Sequence, residues 1–320
     1  MGNDDGRGAA DLEVLTVGRV GVDLYPQQSG VPLAEVDTFA KSLGGTATNV
    51  AVAAARLGRR SGVLTKVGPD GFGEYVRTAL EGFGVTARYV GTAPDLLTPV
   101  VFCELTPPED PPLLFYRAPI APDLTLTPGE VPWDVVDSVP LLWVTGTGVS
   151  AEPGRGTQRA ILDRRPRRGH TVLDLDYRPM FWPDEDTAAR EIGGMLGHVN
   201  VVVGNRTEMR VAVGTEDPDD AADRLLARGV RLVLVKRGAD GVLVATEGER
   251  WTVPPCSVEV VCGLGAGDGF GGALAHGLLA GWEPHRIATY ANAAGALVAS
   301  RLACADAMPN AAEIEELLCR

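Results

Sequence analysis

The residues best suited to chemistry gather late in the chain, in Val261–Gly281, VCGLGAGDGFGGALAHGLLAG. Asp268 is the single carboxylate of that stretch, set among small residues before an Ala/Leu-rich run at helical spacing. Glycine disfavours a helix by about 1 kcal/mol relative to alanine. Even so, Gly267, Gly269, Gly271 and Gly272 crowd the first turns here. Such a cluster predicts bare backbone that another group must approach closely. A helix N-terminus with free N–H groups at the positive end of the helix dipole is a ready anion site, and phosphate is the obvious guest. Asp268 would be the one carboxylate beside that phosphate.

The rest of the chain must position these groups. Val14–Val22, a short apolar run broken by Gly18 and Gly21, reads as a buried strand ending at Asp23, and Thr48–Leu57, with its NVAVAAARL pattern, as a helix closed by Gly58. Ser61–Val67 predicts the next strand and Phe72–Phe83 the next helix. Between Ala87 and Arg117 the strand-like TPVVFCEL and PLLFYR are joined by the proline-heavy PPEDPP, which implies a small β element apart from the main sheet. Strands then alternate with helices: LLWVTG, TVLDLDY, VNVVVGN and RLVLVKRG, followed by a hairpin from GVLVATEG and RWTVPP. Val261–Gly281 reads as strand, loop and helix, with two more helices at Pro284–Arg301 and Ala311–Leu318. Near-continuous apolar strands alternating with helices predict an α/β fold whose mostly parallel sheet is covered on both faces. The expected organisation is one domain over 12–320, with a β lid at about 32–43 and 98–117 and a disordered tail at 1–11.

In such folds ligands sit at the carboxyl ends of the strands. Asp23 follows the first strand, and a plain turn or cap aspartate is its alternative reading. Gly44 and Gly45 open a helix whose Asn49 carries both a donor and an acceptor. Arg117 and Arg178 end strands; each is a surface ion-pair residue unless the two converge on a substrate carboxylate. Asn205 and Glu208 have capping-box spacing, with ordering of Mg²⁺ through water as the functional alternative. Lys236, Gly238 and Gly241 lie in a hairpin turn that can also pass close to a nucleotide.

Composition narrows the classes. A net charge of −13 argues against a nucleic-acid partner. Five scattered cysteines and four histidines have neither disulfide-frame nor zinc-site spacing, so reduced thiols and a cytoplasmic location are expected. The N-terminus lacks a signal-peptide core, and no apolar run is long enough to span a membrane. Gly267, Gly269 and Gly272 satisfy G-x-G-x-x-G but sit late in the chain, without the acidic partner a dinucleotide site wants. Neither a P-loop nor a G-x-S-x-G motif is present.

Together, GGTATNVAVAAARLG and GLGAGDGFGGAL resemble the two signatures of the PfkB (ribokinase-like) carbohydrate kinases. The runs GRVGVDLYPQQ, TPVVFCE, PLLFYR, DLDYRPMFW and GNRTE look like the branch acting on a keto-sugar acid of myo-inositol breakdown. The resemblance implies a ribokinase-like three-layer sandwich with a small β-strand lid. It assigns Asp268 as catalytic base, and Gly265, Ala266 and Gly267 as the anion hole. Asp23, Gly44, Gly45 and Asn49 would meet sugar hydroxyls, and Arg117 and Arg178 the sugar carboxylate. Thr46 stands where ribokinases carry Lys, a hint that the sugar is not ribose. Lys236, Gly238, Gly241 and Asn292 fall to the nucleotide, and Asn205 and Glu208 to Mg²⁺. ATP and Mg²⁺ are thus implied. Monovalent-cation (K⁺) dependence stays open, because Cys262-Gly263 departs from the family pattern. The expected activity is phosphoryl transfer to the terminal hydroxyl of an acid sugar, with a 2-keto-3-deoxygluconate kinase, a fructokinase or an idle sensor as alternatives. The lid strand offers an edge for a homodimer.

Overall fold

A computed structural model describes residues 12–28, 30–109 and 111–319, so the tail expected at 1–11 lies outside the described residues. The first third of the chain holds β1 (Val14–Val17), β2 (Gly21–Pro26), β3 (Phe39–Gly44), α1 (Thr46–Arg56), β4 (Ser61–Val67), α2 (Gly71–Gly82), β5 (Val90–Thr92), β6 (Val100–Cys103) and β7 (Leu113–Tyr116). Next come α3 (Trp133–Ser138), β8 (Leu141–Thr145), α4 (Gly154–Arg164), β9 (His170–Asp174), α5 (Glu185–Met195), β10 (Val201–Asn205), α6 (Arg206–Val213) and α7 (Pro218–Ala227). The last third has β11 (Leu232–Lys236), β12 (Val242–Ala245), β13 (Arg250–Val253), α8 (Ala266–Leu279), α9 (Pro284–Ala299) and α10 (Ala311–Leu318).

Nine strands form the main sheet in the order β13-β12-β11-β10-β9-β8-β1-β4-β5. From β11 to β5 every pairing is parallel, and β12 and β13 add an antiparallel edge. Alternate residues of each strand enter opposite layers. Leu15, Leu142, Val144, Leu173 and Val233 pack with α3 to α7 on one face, whereas Val14, Leu141, Trp143, Val201 and Leu234 pack with α1, α8, α9 and α10 on the other. Burial on both faces is why these strands read as unbroken apolar runs.

A second sheet, β3-β2-β6-β7, stands apart. The single strand expected over Val14–Val22 is in fact two. Gly18, at φ 149°, breaks the run; β1 stays in the main sheet and β2 pairs with β3 and β6. Any side chain on Gly18 would crowd the Thr145 hydroxyl at 2.8 Å, so the chain turns where only glycine fits. The second sheet therefore draws on 21–26 as well as on the segments foreseen for it. The strand expected ahead of α8 does not form either: Cys256–Leu264 runs to the helix without strand pairing.

Candidate active site

Parallel strands deliver their last residues to one rim. Asp174 ends β9, Asn205 ends β10 and Lys236 ends β11, with Thr145 beside Asp174 and Asn205 beside Lys236 in register. The N-terminus of α8 faces that rim. Its cap, Gly265, is left-handed at φ 80°, and a Cβ there would meet Cys304 Sγ at 2.9 Å. The N–H groups of Gly265 and Gly267 have no acceptor among the described residues. Lys236 Nζ lies 3.2 Å from the place a Gly267 Cβ would take. Two free N–H groups, a helix dipole and an ammonium thus point at one spot, an anion site by construction.

The other glycines of α8 serve packing. A Cβ on Gly272 would overlap Ala53 of α1, one on Gly271 would meet Trp143 at 2.9 Å, and one on Gly269 would meet Val298 at 2.7 Å. The close approach foreseen from the sequence therefore divides: Gly265 and Gly267 face the anion site, whereas Gly269, Gly271 and Gly272 let α1, β8 and α9 approach.

Asp268 is half-buried, and its Oδ2 accepts a 2.7 Å hydrogen bond from Asn49 Nδ2. Burial pushes its carboxyl up to about 6; the Asn49 donor, Arg19 and Arg178 resist that rise, and Asp176 adds to it. The group is therefore chiefly ionised at neutral pH yet a better base than an ordinary aspartate. Asn49 Oδ1 is buried without a partner, an acceptor left for an incoming donor. Asp23 lies mid-strand in β2, not after the first strand, and faces the same space. Burial pushes it up to about 7, and the Asp268 charge contributes. Gly44 is obligatory for this arrangement, because a Cβ would overlap the Asp23 carboxylate. Gly45 is at φ 101°, with the Arg19 carbonyl 2.5 Å from any Cβ. Two glycines thus bring β2, β3 and α1 together.

A small cavity of about 50 Å³ lies between the sheets. Asp23, Gly45, Asn49, Arg178, Gly265 and Asp268 line it, and so do Arg19, Thr46, Phe115 and Cys304. Arg117 does not. It faces Asp123 at 3.5 Å and stacks 4.2 Å from the Phe181 ring centroid. Arg178 keeps a 43% exposed side chain, with Nε 3.3 Å from Asp176 Oδ1.

Three charged residues escaped the sequence reading. Arg19 follows β1 and binds Asp176 with both carboxylate oxygens at 3.0–3.1 Å. Against the upward push of burial, Arg19 and Arg178 hold the Asp176 carboxyl below its usual range. Asp174 is buried beside Lys236 and is pushed upward by desolvation. The signal available was the doubled aspartate of DLDYR, read only for its arginine.

Asn205 and Glu208 form the capping box of α6: Glu208 N donates to Asn205 Oδ1 at 2.9 Å, and Asn205 N to Glu208 Oε2 at 2.6 Å. The motif is structural, but it also fixes a buried carboxylate near Lys236 and Asp174. No cluster of three or more His, Cys, Asp or Glu fit to hold a metal occurs among the described residues. One fixed carboxylate beside phosphate is nonetheless a donor set Mg²⁺ accepts, since that ion retains several waters. Gly238 (φ 59°) and Gly241 (φ 80°) shape the β11–β12 turn, and Gly241 lies so close to Val253 that a Cβ would overlap its carbonyl. Asn292 donates to the Pro254 carbonyl at 2.6 Å, tying α9 to that wall. These three residues stand away from the cavity lining. At the departure from the motif, Cys262 is buried with Tyr25, Cys103 and Cys304, and Gly263 N donates to the Pro108 carbonyl at 2.7 Å.

The chain and its fold have counterparts among known proteins. A 5-dehydro-2-deoxygluconokinase of Photobacterium profundum is 35% identical over 307 residues, covering 93% of this chain and 92% of that protein. One from Clostridium tetani is 30% identical over 315 residues, covering 96% and 93%. A solved fructokinase from Vibrio cholerae O395 in fructose, ADP and calcium ion bound form superposes with a TM-score of 0.84 at 26% identity, over 97% of this chain and 99% of that one. A putative Ribokinase II from E. coli in complex with ATP and Mg²⁺ reaches a TM-score of 0.88 at 24% identity over 97% and 99%, a likeness of fold alone. The model of the pfkB family carbohydrate kinases matches residues 11–311, and the chain belongs to that family.

Proposed function

We propose that the protein transfers the γ-phosphoryl group of ATP to the 6-hydroxyl of 5-dehydro-2-deoxy-D-gluconate. The observation that carries this reading is Asp268: a half-buried carboxylate of raised pKa beside the free N–H groups of an anion-binding helix end, facing a cavity that also holds two arginines. The curated relatives named above lend the substrate.

The sugar lies between the sheets, its hydroxyls on Asp23 and the unpartnered Asn49 Oδ1, its acid group toward Arg178. Asp268 accepts the proton of the 6-hydroxyl as that oxygen attacks. Phosphoryl transfer passes through a loose transition state, so positioning and charge neutralisation outweigh base strength. Gly265 and Gly267 N–H donate to the transferring group, and one such donor is worth roughly 3–4 kcal/mol. Lys236 adds a positive charge at the same spot. The ATP phosphates reach this end from the wall formed by Gly238, Gly241 and Asn292. Glu208, with Asn205 behind it, would hold Mg²⁺, which would supply charge neutralisation on the phosphates.

The second sheet acts as the lid. Its inner residues Asp23, Val101, Leu113 and Phe115 line the cavity and exclude water, whose attack on ATP is the competing reaction. Its outer face exposes Leu114 at 48% and Tyr116 at 60%, apolar surface that supports pairing with a second copy. The five thiols, all free, support a reducing, cytoplasmic setting. Dependence on K⁺ is not part of the proposal, because the buried Cys262 side chain supplies no hard oxygen donor.

A coupled assay of ADP release over acidic and neutral keto-sugars tests the reading. It expects kcat/KM for 5-dehydro-2-deoxy-D-gluconate to exceed that for 2-keto-3-deoxy-D-gluconate and for D-fructose. A preference for fructose overturns the acid-sugar assignment, and no turnover with any sugar points to an idle sensor.

A further inference from the structure

Resting on the acid-sugar reading, we propose that Arg19 is a specificity-determining residue, receiving the substrate carboxylate together with Arg178. Two guanidiniums line the cavity, and Arg19 is far the more buried, with a side chain 9% exposed against 43%. Its Nη2 donates to both oxygens of Asp176 and, at 2.5 Å, to Thr46 Oγ1; its Nε donates to Thr147 Oγ1 at 3.2 Å. Thr147 in turn donates to Asp176 Oδ2 at 2.7 Å. Nη1 has no acceptor among the described residues, so one edge of the fork stays unspent. An arginine clamped on two edges with a third free is pre-organised for a planar anion.

The supports are built for this one side chain. Asp176 occupies φ 33°, a conformation that side-chain-bearing residues rarely adopt, and it directs its carboxylate onto Arg19 while also facing Arg178. Thr46 opens α1 and accepts from Arg19; a lysine there would set a second cation against the guanidinium. Gly45, whose backbone passes against the Arg19 carbonyl, allows the approach. Arg117 has a counter-charge too, in Asp123, but it stacks on Phe181 and lies off the cavity lining. Arg19 sits farther from that ring, with its Cζ 5.7 Å from the centroid. Arg117 therefore braces the ring wall, and the clamp is Arg19 with Arg178. Asp23 and Asp268 line the same cavity, so the acid end of the substrate goes to the arginines and its hydroxyls to the aspartates.

The test compares Arg19→Met, Arg19→Lys and Arg117→Met by kcat/KM for 5-dehydro-2-deoxy-D-gluconate and for D-fructose at saturating ATP, with ADP binding by calorimetry as the check on folding. Arg19→Met should lower the acid-to-neutral ratio by about 30-fold or more, chiefly through KM for the acid, as expected for truncating one arm of a buried charged pair. Arg19→Lys keeps the charge without the fork and should fall between it and wild type. Arg117→Met should lower the ratio less than Arg19→Met. A folded Arg19→Met with an unchanged ratio overturns the inference, as does a larger effect from Arg117→Met. If Arg19→Met fails to fold, Arg19→Lys decides alone; if neither folds, Arg19 is a structural brace and the inference fails. The substrate reading fails separately, when wild type itself prefers the neutral sugar.

Discussion

Replacing Asn49 with leucine should move the acid limb of the pH–rate profile, because Asn49 supplies the 2.7 Å hydrogen bond that favours ionised Asp268. A hydrogen bond to a charged group is worth about 1.5–3 kcal/mol, and one pKa unit corresponds to about 1.36 kcal/mol, so the loss raises Asp268 by roughly 1–2 units. The wild-type carboxyl titrates at about 6. The sign is fixed by the role: the base works ionised, so activity falls as pH drops through its pKa. The variant should therefore lose activity below about 7–8 and recover part of it on the alkaline side. A uniform loss will accompany the shift, since the Asn49 Oδ1 contact with the sugar also disappears. The assay is kcat/KM for the sugar from about pH 5 to 9, the parameter that reports the free enzyme. Activity lowered equally at every pH, with the limb unmoved, would refute the coupling of Asn49 to the base.

Asp23→Asn should simplify that limb: wild type carries a second step near the Asp23 value of about 7, which the variant lacks, and KM for the sugar rises. The paired substitutions Gly272→Ala and Gly267→Ala separate packing from chemistry. Gly272→Ala drives a methyl into Ala53 and should cost about 1–3 kcal/mol of stability, read from urea unfolding. Gly267→Ala meets only the flexible Lys236 ammonium at 3.2 Å, so it should fold normally while kcat falls roughly 10–100-fold from misplacement of the phosphoryl group.

The parallel sheet was legible because its strands are buried on both faces, so LLWV, VVVG and LVLV carry no polar interruption and VLTV only Thr16. Local motifs were legible as well. The Asn205–Glu208 capping box spans three residues and is bonded as its spacing predicts. Features that depend on distant partners were not. The run Val14–Val22 reads as one strand because both of its halves are buried, and its glycines do not tell that the halves belong to different sheets. Gly271 and Gly272 owe their identity to Trp143 and Ala53, so their helix looked more exposed to ligand than it is. Arg19 was missed for the same reason. An arginine just past a strand resembles a surface residue until Thr147 and Asp176, 128 and 157 positions on, close around it. Arg117 has the reverse history, since its acid partner lies only six positions away.

The central claim is that Asp268 takes the proton of the sugar hydroxyl, and kcat of Asp268→Asn tests it most directly. A positioned general base contributes typically 10²–10⁴-fold, so kcat on 5-dehydro-2-deoxy-D-gluconate should fall by about that factor while calorimetry finds sugar and ATP still bound. A variant that binds both and retains roughly a tenth of the wild-type kcat or more contradicts the account, because a loss that small is below what a general base supplies.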